Sequence, residues 1–201
     1  MNLLITAIGS FSADVAIRNC HALGMRVIGC DIYPMEWVAQ SAAVDVFYQV
    51  PKAVDEEAYV SQLLTIIKEE EINLVLPSTD VEVDVLNNHR DEIKEAGATL
   101  CISGPKTIEL CRNKLEFTKK LGKYAIRSRL VSDVPEPEFP VVTKPVNGRS
   151  SIGLQKIYDK AHYDLVPKDH IVQPLIEGDI ITVDVVRHPK SHYVEVLARQ
   201  E

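Results

Sequence analysis

Between residues 3 and 102 the chain alternates two hydrophobic rhythms. Short, nearly continuous apolar runs occupy residues 3–8 (LLITAI), 26–32 (RVIGCDI), 44–50, 73–76 and 99–102. Such runs suit strands buried on both faces. Between them, apolar residues return at helical spacing. Ala13, Ala16, Ile17, Cys20 and Leu23 share one face of a first helix, capped by Ser12 and ended by Gly24. Val60, Leu63, Leu64 and Ile67 mark a second helix behind Asp55, with a solvated end at 68–71. Val81, Val85, Leu86 and Ile93 predict a third over 81–96, stopping at Gly97. Strands alternating with amphipathic helices predict an α/β domain, a doubly wound parallel sheet of Rossmann-like type.

The rhythm changes after Ser103-Gly104-Pro105, which places a domain boundary between 104 and 105 and gives domains 1–104 and 105–201. Two short helices follow, 107–112 and 114–121, with Asn113 between them and Gly122 after. A proline-rich connector (VPEPEFP, 134–140) leads into a strand at 139–143 with Lys144 at its end. A loop holding Asn147, Gly148, Ser150, Ser151 and Gly153 comes next, and LQKIY is extended again. A further strand is expected over 169–177, then a hairpin of 181–187 with 193–199 turning through 188–191.

Composition narrows the function classes. With 46% apolar and 25% charged residues in 201, the chain can bury a sizeable core. The formal charge is −7, with no long basic run, which argues against nucleic acid as the main partner. No apolar run reaches membrane-spanning length, about 20 residues, and MNLLITAIGS reads as a first strand, not a leader. Cys20, Cys30, Cys101 and Cys111 occur singly, without C-x-x-C, as expected of free thiols in a reducing cytoplasm. Six scattered histidines give no metal-binding spacing.

Two stretches carry candidate chemistry. Asp31 lies 22 residues after Gly9, the spacing of a dinucleotide fingerprint, but Phe11 stands where its second glycine belongs. A bulky side chain there keeps the backbone from a pyrophosphate, so an NAD(P)-binding oxidoreductase is the lesser alternative. Ligands of open α/β sheets still gather outside the carboxyl ends of the strands. Ser10, Asp31, Ser78 and Asp80 fall at such ends and are candidate substrate contacts, although Asp80 also suits a helix cap.

The second stretch is FPVVTKPVNGRSSIG, residues 139–153. A lysine at the root of a strand–loop–strand supplies a compact cation. The glycines admit a close ligand, while amides and hydroxyls can donate to phosphate oxygens. The lysine precedes the glycines and no helix follows, so this is not a P-loop.

The lysine strand, the Gly/Ser flap, the later V-Q-x-x-I-x-G strand (172–178) and the upstream NKLEFTKKLG (113–122) resemble, in order and spacing, the ATP-grasp superfamily. Within it the chain is most similar to the large chain of carbamoyl-phosphate synthase. The resemblance implies a pre-ATP-grasp domain that helps hold the acceptor, then an incomplete α+β ATP-grasp domain. It places Lys114 and Lys144 on the phosphates of ATP and the flap over them, with Asn147, Gly148, Ser150, Ser151 and Gly153. It places adenine against Gln173, Pro174 and Ile176. A ribose-binding glutamate of the family pattern falls at Ile180 or Ile181 here, with Glu177 or Asp179 as substitutes. The family's Mg²⁺ ligands are expected beyond Glu201, so the 201 residues are read as part of a longer enzyme. The implied activity is that of a ligase joining a small-molecule carboxylate to an amine through an acyl phosphate, with ATP and Mg²⁺. A homodimer is one option for its assembly, and a non-catalytic binding or assembly module is the second alternative.

Overall fold

The computed structural model describes residues 1–188 and 190–200. Pro189, in the expected turn at 188–191, and Glu201, beyond which the metal-binding strands were expected, lie outside the described residues. The chain packs as two units, Met1–Cys111 and the residues from Arg112 onward.

The first unit is the expected doubly wound sheet. Strands β1 (Asn2–Ile5), β2 (Arg26–Asp31), β3 (Val46–Gln49), β4 (Leu74–Leu76) and β5 (Thr99–Leu100) lie parallel in the order β3-β2-β1-β4-β5. Alternation along the central strand fills both faces. Leu3 and Ile5 of β1 join Ala13 and Ile17 of helix α1 (Phe11–Ala22) on one side. Leu4 joins Tyr59, Leu63 and Ile66 of α2 (Glu56–Glu69) and Val85 and Leu86 of α3 (Asp80–Asn88) on the other.

Several boundaries shift for identifiable reasons. Helix α1 begins at Phe11, so Ser10 occupies the N-cap position in place of Ser12, and its side chain makes no capping bond. Leu23, assigned to the buried face, lies beyond the last turn and is 78% exposed. The single helix expected over 81–96 is two, α3 and α4 (Arg90–Glu95), broken at His89. Asn87, Asn88 and His89 are weak helix formers, and Asn87 Oδ1 accepts from Arg90 Nε at 2.9 Å. Thr79, not Asp80, caps α3. Its hydroxyl accepts from Glu82 N–H, while the Glu82 carboxylate accepts from Thr79 N–H at 3.1 Å, a reciprocal capping box.

After α5 (Pro105–Arg112), the second unit contains α6 (Lys114–Leu121), β6 (Arg129–Leu130), β7 (Val141–Pro145), β8 (Gln155–Ile157), α7 (Lys160–Tyr163) and β9 (His170–Pro174). Its four strands pair antiparallel in the order β6-β9-β7-β8. Val141, Val172, Ile157, Tyr163 and Val166 form its core, and Tyr163 Oη donates to Val134 O at 2.8 Å. Lys144 stands inside β7, paired with Ile171, and not after its end as expected, because pairing with β9 continues to Pro145. Strands β10 (Ile181–Arg187) and β11 (Val194–Gln200) make the expected antiparallel hairpin.

His89 couples α2 to α4. Its two ring nitrogens contact Glu56 Oε1 at 2.8 Å and Glu92 Oε1 at 2.6 Å. Burial disfavours the imidazolium, but the bonds and charges of Glu92 and Glu56 outweigh it and raise the pKa above the ordinary value. A raised native pKa stabilises the fold below the unfolded value, about 6.5, and that contribution disappears as pH climbs through the native value. Urea midpoints should therefore decline as pH rises through this window at low salt, and His89→Gln should flatten the decline. Since both carboxylates are about half exposed, the amplitude should stay below about 1 kcal/mol. An unchanged slope in the variant would assign the pH dependence to other groups.

Candidate functional site

The β7–β8 hairpin is tied at its root to the start of α6. Asn113 caps that helix, its Oδ1 accepting from Glu116 N–H at 3.0 Å, and its backbone bridges to Asn147. Lys114 N–H donates to Val146 O at 3.0 Å, and Lys114 Nζ donates to Gly148 O at 2.8 Å. Three residues at the loop tip take left-handed backbone: Ser150 (φ 51°), Ser151 (φ 55°) and Gly153 (φ 76°). Two serines in that region store strain, about 1 kcal/mol or more each. Glycine is required at 153, since a Cβ there would lie 2.9 Å from Pro145 Cγ as well as adopt an unfavourable φ.

This arrangement encloses a cleft of about 210 Å³ lined by Lys114, Lys144, Gly148, Arg149, Ser150 and Ser151, among others, and among the described residues no carboxylate lines it. Two causes depress the pKa of Lys144: burial first, then the charge of Lys114. Burial and then Arg112 depress that of Lys114. Cationic groups held close together and partly out of water are relieved by an anion. The cleft is smaller than the roughly 300–1,000 Å³ of a pocket for a whole small molecule, and its size and charge fit a phosphate chain.

Other residues singled out from the sequence take different positions. Asn147 and Gly153 shape the loop. Gln173 shares a sheet face with Lys144, because Val142 pairs with Gln173 and Lys144 with Ile171. Its Nε2 donates to Ser128 Oγ at 2.7 Å, and with Pro174 it lines a separate cavity of about 120 Å³. Ile176 lies past the end of β9 and is exposed, as are Glu177, Asp179, Ile180 and Ile181. Arg149 was not anticipated, although a basic residue inside a Gly/Ser loop was the available signal.

In the first unit, Ser10 and Asp31 line a cavity of about 530 Å³ at the carboxyl ends of the strands; Ser78 and Asp80 are not in its lining. Asp31 is buried and already bonded: Oδ2 accepts from Gly9 N–H at 2.9 Å and Oδ1 from Tyr33 N–H at 3.1 Å. It therefore clamps the β1–α1 turn onto the end of β2. Ser78 N–H donates to Thr6 Oγ1 at 3.2 Å, and Asp80 is the first residue of α3. Phe11 is 96% exposed and is not part of this cavity's lining. Among the described residues no three His, Cys, Asp or Glu side chains are grouped to hold a metal ion, and no helix is long and apolar enough to cross a membrane.

Residues 3–101 match the family described as PylC-like, N-terminal domain. No curated protein matches the sequence. Solved structures match over nearly the whole chain. N5-carboxyaminoimidazole ribonucleotide synthetase from Thermotoga maritima is 19% identical with a TM-score of 0.70, covering 99% of this chain and 53% of its own. L-amino acid ligase from Bacillus licheniformis is 18% identical with a TM-score of 0.71, covering 99% and 50%. The biotin carboxylase domain of 2-oxoglutarate carboxylase from Hydrogenobacter thermophilus, solved with MgADP and bicarbonate, is 17% identical with a TM-score of 0.73, covering 98% and 49%. The chain thus spans about half the length of these three structures. The five-stranded parallel sheet of the first unit thus matches that of a pre-ATP-grasp domain, and the chain shares its fold with these structures over nearly its whole length.

Proposed function

We propose that the second unit binds the phosphate chain of ATP between Lys114, Lys144 and the 146–154 loop, as part of a ligase that joins a carboxylate to an amine. One observation carries this reading: two lysines with depressed pKa values line a cleft that, among the described residues, has no carboxylate in its lining. ATP bound there supplies an electrophilic γ-phosphorus, and the resemblance points to an acyl phosphate as the activated form of the carboxylate. Lys144, fixed on a paired strand, supplies a charge of defined position. Lys114 reaches the cleft from the first turn of α6, where the helix dipole also favours an anion.

The serine hydroxyls at 150 and 151 add donors on the loop side, and closure of that loop over the phosphates would keep water from a hydrolysable intermediate. Adenine is assigned to the sheet face beside Gln173, with the Pro174 carbonyl and the Ile176 N–H as its partners. Since no metal-ligand group is assembled among the described residues, Mg²⁺ is given no ligands here.

Calorimetric titration should show Mg-free ATP binding in preference to NAD. A charged hydrogen bond contributes about 1.5–3 kcal/mol, so Lys144→Ala should weaken ATP about ten- to hundredfold. Equal affinity of variant and wild type would refute the site. A second check needs no nucleotide. Lys114→Met removes the neighbouring charge, so NMR titration of the Lys144 ammonium should show its pKa rise toward the ordinary lysine value without reaching it, because burial is the larger cause. A pKa that stays where it was would mean that the two ammonium groups do not share an environment.

A further inference from the structure

The cavity of the first unit has a composition that the phosphate cleft does not explain. At its mouth stand Trp37 and Val54, each 76% exposed, and Tyr33, 52% exposed. The rings of Tyr33 and Trp37 lie 6.1 Å apart at 31°, a tilted pair. Ile32 and Val81 continue the apolar lining. Scattered exposed apolar residues are ordinary, but their convergence on one 530 Å³ concavity is what small-molecule sites show.

The polar groups of the same cavity divide in two. Asp31 and Glu82 are buried, and both are occupied by the protein's own donors. Glu82 accepts from Tyr59 Oη at 3.0 Å, from Thr79 Oγ1 at 2.9 Å and from Thr79 N–H at 3.1 Å. Asp31 accepts from two backbone amides. Lys52 differs: it lines the cavity, is exposed, and its ammonium makes no ion pair or hydrogen bond among the described residues. The start of α1 faces the cavity through Gly9 and Ser10, and the N-cap of α3 through Thr79, so two helix N-termini add positive potential there. The charged group still open to a ligand is therefore a cation, set beside a flat apolar wall.

The geometry points to a binding site, within Met1–Cys111 alone, for a small organic carboxylate with a flat apolar body. The body stacks on Tyr33 and Trp37, and the carboxylate pairs with Lys52. This does not rest on the nucleotide reading, because every residue invoked lies in the first unit.

Trp37 is the sole tryptophan, so its emission reports directly on the site. The probes are 3-phenylpropionate, its neutral amide and phenethylamine, titrated against the whole chain with excitation selective for tryptophan. Ligand-observed saturation-transfer NMR provides an independent readout. The carboxylate should bind about tenfold more tightly than the amide and more tightly than the amine. Lys52→Met should remove that preference while leaving amide binding in place, and Trp37→Leu should weaken both by NMR. Lys144→Ala should leave all three unchanged, which separates this site from the nucleotide cleft. Equal binding of carboxylate and amide, preference for the amine, or an unaltered preference in Lys52→Met would each overturn the proposal.

Discussion

Lys114 and Lys144 are the pair on which the proposed phosphate site depends. Each disfavours its own charge through burial, and Lys144 is further opposed by Lys114. Such an arrangement persists only because the surrounding structure holds it. Pairing of β7 with β9 fixes one lysine, and the Asn113–Asn147 bridge with the Lys114–Gly148 bond fixes the other. The proposed polyanion would lower an electrostatic cost already present in the free protein. Left-handed serines at the loop tip add a second local cost of the kind that gathers at ligand-closing segments.

The first unit solves a different problem. It must place polar groups at the carboxyl edge of a sheet buried on both sides. Asp31 and Glu82 do this by accepting bonds from the turn and cap around them, which fixes the entries of α1 and α3. Because these carboxylates are committed to backbone and hydroxyl donors, the ligand contacts proposed for this cavity fall on residues at its rim. Tyr33, Trp37 and Lys52 are there for the same topological reason that ligands of open α/β sheets gather at this edge.

Much of this was legible in the chain. Continuous apolar runs located the five parallel strands, and the span of α6 emerged at 114–121 as expected. The lysine hairpin was visible because its glycines and serines interrupt an otherwise apolar pattern. What escaped detection depended on contacts distant in sequence. The break at His89 is held partly by Glu56, 33 residues away. Asp31 reads as a ligand by spacing, yet its bond to Gly9 closes a turn 22 residues upstream. Gln173 interrupts an apolar strand as a binding residue would, and part of its hydrogen-bonding capacity is spent on Ser128. The aromatic pair on the rim follows β2 in a segment without periodicity, so nothing in the pattern singled it out.

The central claim is that the 146–154 loop and the lysines beneath it form one anion-binding device. Amide hydrogen exchange tests this most directly, read by mass spectrometry on peptides spanning the loop with and without Mg-free ATP. Exchange over 148–154 should slow by about tenfold on saturation, with smaller changes at the start of α6. Unchanged exchange in that loop at saturating ATP, or protection confined to other segments, would contradict it.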